Sequence, residues 1–593
     1  MENWTIYAKR ADFNAWAQAL GVDPVIARLI RNRDVETLEE ARSFLRGTMR
    51  ECHSPWLLKD MEKAVEGLME AVDQGKKIRV IGDYDVDGIC ASYILRKGIS
   101  ILGGSVDVAI PHRIHDGYGL NENLIREAAR DGVNFIVTCD NGIAAVPQIE
   151  LARELGMDVM VTDHHEVPYV EENGVRREIL PEALAVVDPK RGDDTYPFPG
   201  ICGGVVAYKL MQAVQERMEE NGDDRAVTLK DAMEELTEFA AFSTVCDIME
   251  LKNENRIIVR EGLRRMRSSR NLGLRALMEV NGIESNAISA YHLGFVLGPC
   301  LNATGRLDTA QRALELLTST TEVEAVNAAR SLKELNDSRK NLTIQGVEEA
   351  IRIIAQEHLE EDLVLVVYLP DVHESLAGII AGRVREQYGR PAFVLTRGEE
   401  GAKGSGRSVE KYNMYESLTE VKGLLSKFGG HKMAAGLSLP EENIAKFRRE
   451  LNANCKLTQE DLIPCLRIDV PMPMDYASKE LAREIDSLEP FGVGNPKPLF
   501  AQKDVIFCEC KRMGKNGQFG KFRVRTPEGK KLDVTYFGDL EAFLAWLDEK
   551  FGSGSRELLL AGQGQYRVSV AYQIGINSYH GNEELQFLMK SFQ

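Results

Sequence analysis

Asp83-Tyr84-Asp85-Val86-Asp87-Gly88 places three carboxylates within five residues, more negative charge than a short loop holds without cations. The same spacing opens a calcium-binding EF-hand loop, but that loop needs a bidentate Glu at its twelfth position, which here is Ile94, and a helix rather than a strand in front. Asp140-Asn141-Gly142 adds a carboxylate on a tight turn, and Asp163-His164-His165 adds a carboxylate and two imidazoles. Oxygen ligands suit magnesium and manganese, and imidazole shifts the preference toward manganese or another transition ion. The set is large enough for two metal ions, whose usual use is to activate a water and stabilise the leaving oxygen of a phosphoryl group. No P-loop and no Ser-His-Asp arrangement competes with it.

The elements that must position these residues are legible. Four short apolar runs each end at an aspartate: Ile78 to Gly82 before Asp83, Phe135 to Cys139 before Asp140, Val159 to Thr162 before Asp163, and Leu184 to Val187 before Asp188. Helical segments such as Pro147 to Leu155 separate the first three, the alternation of a parallel sheet buried on both faces. Ligands of such sheets bind outside the carboxyl ends of the strands, so the aspartates converge on one edge. A single Asp there equally well caps the next helix; four in succession argue for a site.

Around this unit the pattern changes. Residues 5 to 75 carry helical periodicity (Val25, Leu29, Ile30; Leu38, Ala41, Phe44, Leu45; Met61, Ala64, Leu68, Met69). From 310 to 360 charges alternate, with neither Gly nor Pro between Gly305 and Gly346, which predicts a solvated connector helix. A second α/β unit follows: strand Leu363 to Leu369, loop Pro370 to Ser375, helix Ala377 to Tyr388, strand Pro391 to Leu395. After about 460, turns at Lys515-Asn516-Gly517, Pro527-Glu528-Gly529 and Gly552-Ser553-Gly554 predict short strands in a small β-barrel or sandwich. At 593 residues the chain has room for about three to five domains. The boundaries drawn are 1–65 (helical lead-in), 66–315 (catalytic), 316–360 (connector), 361–455 (second α/β unit) and 456–593 (barrel).

The formal charge of −18 argues against nucleic acid only if charge is evenly spread. Between Lys511 and Lys531 eight basic residues (Lys511, Arg512, Lys515, Lys521, Arg523, Arg525, Lys530, Lys531) face one acid, Glu528, with Phe519, Phe522, Tyr536 and Phe537 interleaved or close by. Cations that track phosphates and rings that stack on bases are how OB-folds hold single strands; the alternative is a solvated basic hairpin. Ten scattered cysteines without a CxxC pair disfavour disulfides and structural zinc and point to a reducing cytoplasm. No signal peptide and no membrane-spanning run is expected.

Gly82 to Gly88, Cys139 to Ile143 and Thr162 to Glu166, in that order and spacing, resemble the DHH phosphoesterase superfamily, and within it the bacterial RecJ family of single-strand-specific exonucleases. The resemblance runs from Ile26 to the Tyr579-His580-Gly581 region. It implies a parallel-sheet DHH catalytic domain, a DHH-associated second domain and an OB-like barrel. It further implies metal ligation by Asp85, Asp87, Asp140, His164 and Asp247, with Asp83, Asp163 and His165 as catalytic partners that orient ligands or touch the scissile phosphate. Taken alone, Asp247 in Thr244-Val245-Cys246-Asp247 reads as a cap or a solvated residue. For substrate it implies Arg113 on a phosphate and Tyr118 against a base, a phosphate turn with Asn302 and Arg306, and a terminal-phosphate pocket with His373, Ser405, Arg407, Gly430 and His431. Lys521, Arg523 and Arg525 fall in the barrel's basic stripe.

The resemblance also carries an activity: hydrolysis of single-stranded DNA from the 5′ end to 5′-mononucleotides with two Mn²⁺ or Mg²⁺ ions, in repair and recombination, by a monomer supplied by a helicase or a single-strand-binding protein. A cleft between the two α/β units too narrow for a duplex is the expected reason for strand choice. Rival readings are a phosphodiesterase for short oligonucleotides, cyclic dinucleotides or pyrophosphate, and a non-catalytic DNA-binding replication subunit. Four positions depart from the family pattern: Cys300, where a basic residue is common after Pro299, and Ser375, Asp116 and Cys90. Cys300 is expected to weaken one phosphate contact.

Overall fold

The computed structural model describes residues 2–112, 119–172, 174–398, 401–579 and 582–593. All four aspartate-terminated runs form strands of one parallel sheet: Lys77–Ile81, Phe135–Cys139, Asp158–Thr162 and Ala185–Val187, paired in that order. A fifth strand, Ser105–Ala109, which the pattern did not single out, covers the edge beside Lys77–Ile81. Side chains alternate across the sheet. Ile78, Val80, Val137 and Met160 enter the larger core under the helices Val86–Ile101, Gly203–Glu220 and Arg225–Cys246, whereas Ile81, Ile136, Val159 and Val161 face a smaller core under Glu122–Arg130 and Val146–Glu154. Both faces are covered, which is why the strands read as continuous apolar runs.

The second unit is a five-stranded mixed sheet in the order Lys427–Gly430, Ala434–Leu439, Gly401–Arg407, Ala392–Gly398, Leu365–Tyr368. Helix Ala377–Tyr388 crosses between its two parallel strands. The connector is the 35-residue helix Glu322–Gln356, and it is less solvated than its charge pattern predicts. Ala325, Ala329, Leu332, Asn336, Thr343, Gly346, Ala350 and Ile354 form a buried stripe at three- to seven-residue steps, the first three in the catalytic core and Ala350 and Ile354 in that of the second unit.

The C-terminal part is a closed five-stranded barrel. Phe500–Met513, Phe519–Arg525, Lys531–Tyr536, Asn582–Phe592 and Tyr566–Tyr579 pair in sequence, and the last pairs back onto the first. Two strands are 14 residues long, not short, and the Gly552-Ser553-Gly554 turn joins two helices, Leu540–Phe551 and Ser555–Leu560, rather than two strands. The apolar face of Leu540–Phe551 packs into the barrel, where Phe543 meets Phe507, Phe522 and Phe592 at ring-centroid distances of 5.7, 4.8 and 4.8 Å.

The N-terminal lead-in does not stand alone. Ile26, Leu29, Ile30 and Phe44 share one core with the barrel residues Leu481, Phe500 and Phe522, and a strand that the helical periodicity missed, Asn3–Ile6, pairs in parallel with Cys465–Ile468.

Candidate metal centre and nucleic-acid interface

Asp85 caps the helix Val86–Ile101, accepting from the amides of Asp87 (2.9 Å) and Gly88 (3.2 Å). Asp87, two residues on, accepts from the amides of Gly203 and Gly204, both at 2.8 Å, and from the Ser243 hydroxyl. The start of helix Gly203–Glu220 therefore fixes this carboxylate. Sequence reasoning missed that contact, although Gly-Gly before a helical run is a recognisable anion-accepting start. Added Cβ atoms at Gly203 and Gly204 would meet Asp140 Cβ at 2.7 Å and Ser243 Oγ at 2.2 Å.

Asp140 follows its strand with φ of +59°, a left-handed conformation that costs a non-glycine residue about 1 kcal/mol or more. Asn141 secures the turn by donating to the carbonyls of Ile81 (3.1 Å) and Cys139 (2.9 Å). His164 Nε2 lies 3.1 Å from Asp140 Oδ1, 3.4 Å from Asp87 Oδ2 and 3.7 Å from Asp247 Oδ2. Asp247 ends helix Arg225–Cys246, so it is a cap as well as a member of the cluster. Asp163 accepts from the amides of Ile143, His164 and His165, and from the ring Nδ1 of His165 at 2.7 Å.

The electrostatics call for cations. Burial, then the charges of Asp87 and Asp85, pushes the Asp140 carboxyl well above the carboxylate range and that of Asp247 up to about 8; burial and Asp87 also raise Asp85. Burial alone would depress both histidines. It does so for His164, whereas the hydrogen bond to Asp163 lifts His165 to about 9. Among the described residues three donor sets have their ligand atoms within 4.8 Å of one another: Asp83, Asp85 and Asp140; Asp87, His164 and Asp247; Asp140, His164 and His165. Their oxygen-rich composition with one or two imidazoles fits manganese or magnesium, and Asp140 joins the first and third sets. All five ligands implied by the resemblance are thus brought together, Asp83 joins a donor set, and Asp163 acts from behind through His165.

The helix Gly298–Leu307 runs from this centre to the second unit. Asn302 Oδ1 accepts from the Val86 amide (3.1 Å), and Arg306 donates to the Ser375 carbonyl (2.8 Å). Ser375 also bonds His373 Nδ1 through its hydroxyl (2.7 Å), so this departure from the family pattern has a structural role. Arg407 donates to Ser405 Oγ (3.0 Å) beside the first turn of Ala377–Tyr388, where a Cβ on Gly378 would meet Arg407 Nη2 at 2.8 Å and Ser405 Oγ at 2.9 Å. A cation, a hydroxyl and a helix N-terminus converge there. Gly430 (φ +145°) and His431 end the edge strand, and the His431 amide donates to the carbonyl of Ala434, whose strand partner is Arg407. Arg113 and Tyr118, with Asp116, lie outside the described residues. Cys300 is fully buried against Asn336, so it faces the connector rather than a ligand.

The barrel's basic stripe is weaker than its sequence count. Asp533 pairs with Lys521 (3.0 Å) and Arg523 (3.4 Å), Glu509 with Lys511 (3.3 Å) and Arg523 (3.6 Å), and Glu541 with Arg512. Arg525 donates to Gln565 (3.0 Å). Alternation along the strand turns Phe522 into the core, and Tyr536 is buried too; only Phe519 and the exposed Phe537, packed edge to face at 5.3 Å, remain near solvent.

Comparison with known proteins agrees with this geometry. Residues 77–236 match the DHH family N-terminal domain, 361–457 the DHHA1 domain and 468–591 the RecJ OB domain. The chain is 34% identical over 577 residues to the single-stranded-DNA-specific exonuclease RecJ of Bacillus subtilis, covering 97% of this chain and 68% of that protein. It is 33% identical over 585 residues to the Escherichia coli protein of the same name, covering 95% of each. The crystal structure of RecJ in complex with Mn²⁺ from Thermus thermophilus superposes with a TM-score of 0.80 at 28% identity, covering 100% of this chain and 79% of that one. Its Mg²⁺ complex gives 0.76 at 26% identity, covering 100% and 78%.

Proposed function

The chain belongs to the RecJ family of single-stranded-DNA-specific exonucleases, within the DHH superfamily, and on that footing we propose that it degrades single-stranded DNA from the 5′ end, releasing 5′-mononucleotides. The observation that carries this reading is the convergence of Asp85, Asp87, Asp140, His164 and Asp247 at one sheet edge, joined through the helix Gly298–Leu307 to Ser375 of the second unit, which also holds Ser405 and Arg407. Two divalent ions held by those ligands, manganese or magnesium, supply Lewis-acid stabilisation of the phosphoryl oxygens and an acidified water.

The side chains do the rest. Asp87 is locked by three donors, so His164 and Asp247 meet a fixed partner. His165, oriented by its 2.7 Å hydrogen bond to Asp163, is placed to contact a phosphate oxygen at the rim. Ser405, Arg407 and the Ala377–Tyr388 N-terminus receive the terminal 5′-phosphate, which sets polarity and register. Asn302, Arg306, His373, Gly430 and His431 line the path between, and the barrel's Lys521, Arg523 and Arg525 hold the strand electrostatically. A gap between the two α/β units too narrow for a duplex accounts for strand choice.

The proposed domain limits are 1–65, 66–315, 316–360, 361–455 and 456–593, with the first as a partner of the last. In the cell the enzyme acts as a monomer in the cytoplasm, in repair and recombination, on strands delivered by a helicase or by single-strand-binding protein. Among the described residues no helix is long and apolar enough to cross a membrane.

The test is digestion of a 5′-labelled single strand beside a duplex of the same sequence, with manganese, magnesium or chelator. Metal-dependent release of labelled mononucleotide from the single strand alone is expected; release from the 3′ end overturns the polarity, and binding without product overturns the enzyme. Arg407→Ala is expected to lower the preference for a 5′-phosphorylated end by about 10-fold or more, the worth of one charge-assisted hydrogen bond. An unchanged preference removes Arg407 from that pocket.

A further inference from the structure

The residues from Ala290 to Leu307 form one continuous helical run: a turn at Ala290–His292, a wider π turn at Leu293–Leu297 and the α-helix Gly298–Leu307. Inserted π turns recur at functional sites. Leu293, Leu297, Cys300, Leu301 and Thr304 face inward. The outer face carries Tyr291, Phe295, Pro299, Asn302 and Arg306 at steps of four, four, three and four residues. Two of these are large rings left in water, Tyr291 at 63% and Phe295 at 70% exposure. They stack on each other, with centroids 5.2 Å apart and planes inclined by 27°. A stacked pair presents a further flat face to whatever lies beyond it.

The run touches the metal centre from both ends of the ligand set. Asn302 is bonded to Val86, between Asp85 and Asp87. The Leu293 carbonyl accepts from the thiol of Cys246, next to Asp247, and Gly294 lies against Val245. At about 1.5 Å per residue, Phe295 stands roughly 10 Å, and Tyr291 roughly 16 Å, along the axis from Asn302. That is a few nucleotides from the scissile phosphate. Arg267, and Arg264 in a two-point pair with Glu261, line with Tyr291 and Glu489 a cavity of about 340 Å³ at the seam with the segment Glu489 to Phe491.

We propose that the Tyr291–Phe295 pair is a stacking platform for bases of the single strand, placed a few nucleotides from the reacting phosphate. It rests on the single-strand reading above and deepens it. The occupant is a nucleic-acid strand because the rings share a face with Asn302 and Arg306, which the resemblance places on the strand's phosphates, and because Arg267 stands beside Tyr291. Stacking on aromatic rings accepts any base and requires the base to be unpaired. The platform therefore rewards single strands and gives nothing to a duplex.

The experiment is equilibrium binding of the full chain to oligothymidylate of about twenty nucleotides in chelator, so that no hydrolysis intervenes, where each lost stack weakens affinity about 5- to 150-fold. Phe295→Ala is expected to show such a loss and Phe295→Trp to recover it. On an oligonucleotide of the same length made of abasic residues, wild type and Phe295→Ala should bind alike. Equal affinities of wild type, Phe295→Ala and Tyr291→Ala for oligothymidylate overturn the proposal and leave the pair to a protein partner. A Phe295→Ala loss that persists on the abasic strand overturns it too, since the ring then acts on the fold and not on bases. Because binding is read without cleavage, a wild type that binds but never cuts would sink the exonuclease reading while the platform still stands or falls on its own affinities.

Discussion

His164 joins three carboxylates, with Asp87, Asp140 and Asp247 all within 3.7 Å of its Nε2. Replacing it with Ala removes an imidazole from two of the candidate donor sets and leaves the set with Asp87 and Asp247 without one. His164→Ala is expected to lower kcat by about 10³-fold or more, several kcal/mol of lost metal-borne stabilisation. Single-strand affinity in chelator should change less than about threefold, because the strand is held by cations elsewhere. A gel assay of product beside a fluorescence titration checks both, and parallel loss of binding would refute the separation. The same residues were the most legible in the sequence, since Asp83 to Gly88 and Asp163 to His165 are contiguous. Asp247 was legible only through resemblance: its partners come from 80 to 160 positions away, and locally it is one more helix cap. Gly203 and Gly204 carried a signal, glycines at a helix start, that went unused, whereas Ser243 and Gly378 were not legible, because what they supply is a hydroxyl or room, and neither has a spacing rule.

Elements place those residues, and two of them carry measurable tension. Helix Arg225–Cys246 ends with Asp247, and the next residue, Ile248, takes the left-handed conformation (φ +59°) in which the Met249 amide reaches back to the Thr244 carbonyl. Glycine normally fills that position, a β-branched residue costs about 1–2 kcal/mol there, and the Ile248 side chain is 70% exposed and repays little by packing. Ile248→Gly is therefore expected to raise stability by about 1 kcal/mol in urea melts; an unchanged or lower midpoint refutes the strain.

In the same helix Glu238 is almost fully buried, bonded to the Ser269 hydroxyl, and burial raises its carboxyl from 4.5 to about 7. A folded-state value above the unfolded one means that the folded state holds the extra proton. Its contribution is full below pH 4.5 and is lost as pH rises through about 7. Glu238→Gln, neutral throughout, should be more stable than wild type by roughly 2 kcal/mol near pH 8 and not below pH 4.5; parallel stability curves would exclude the linkage. Periodicity and turn signals found the helices, the sheet and the barrel, yet overstated the barrel's free charge. Counting charges along Lys511 to Lys531 cannot reveal Asp533, Glu509 and Glu541, which strand pairing and helix packing bring onto the same surface.

At the scale of the whole molecule, the first 46 residues and the barrel behave as one body. Arg33 forms a buried two-point pair with Asp469 and donates to the Pro496 carbonyl, while the Asn32 side chain donates to the Asp469 carbonyl (3.0 Å). This body is fastened to the catalytic unit by Arg256, fully buried, whose guanidinium donates to the carbonyls of Phe44, Glu489 and Pro490. The Leu251 amide adds a bond to the Val493 carbonyl (2.7 Å), four residues beyond Asp247. The barrel is therefore held against the segment that carries Asp247, through a helical lead-in that periodicity alone shows as a separate preface. Removing the barrel alone strips Ile26, Leu29, Ile30 and Phe44 of their cover, at about 1.5–3 kcal/mol for each, and leaves Arg33 without its carboxylate. A chain of residues 1–463 is expected to aggregate or to show a low-temperature unfolding step, whereas residues 50–463, which lose both halves of that core, stay monomeric in size-exclusion chromatography and melt in a transition of their own. If residues 1–463 elute as a monomer with the same Tm as residues 50–463, the lead-in folds without the barrel and the shared core is not what joins them.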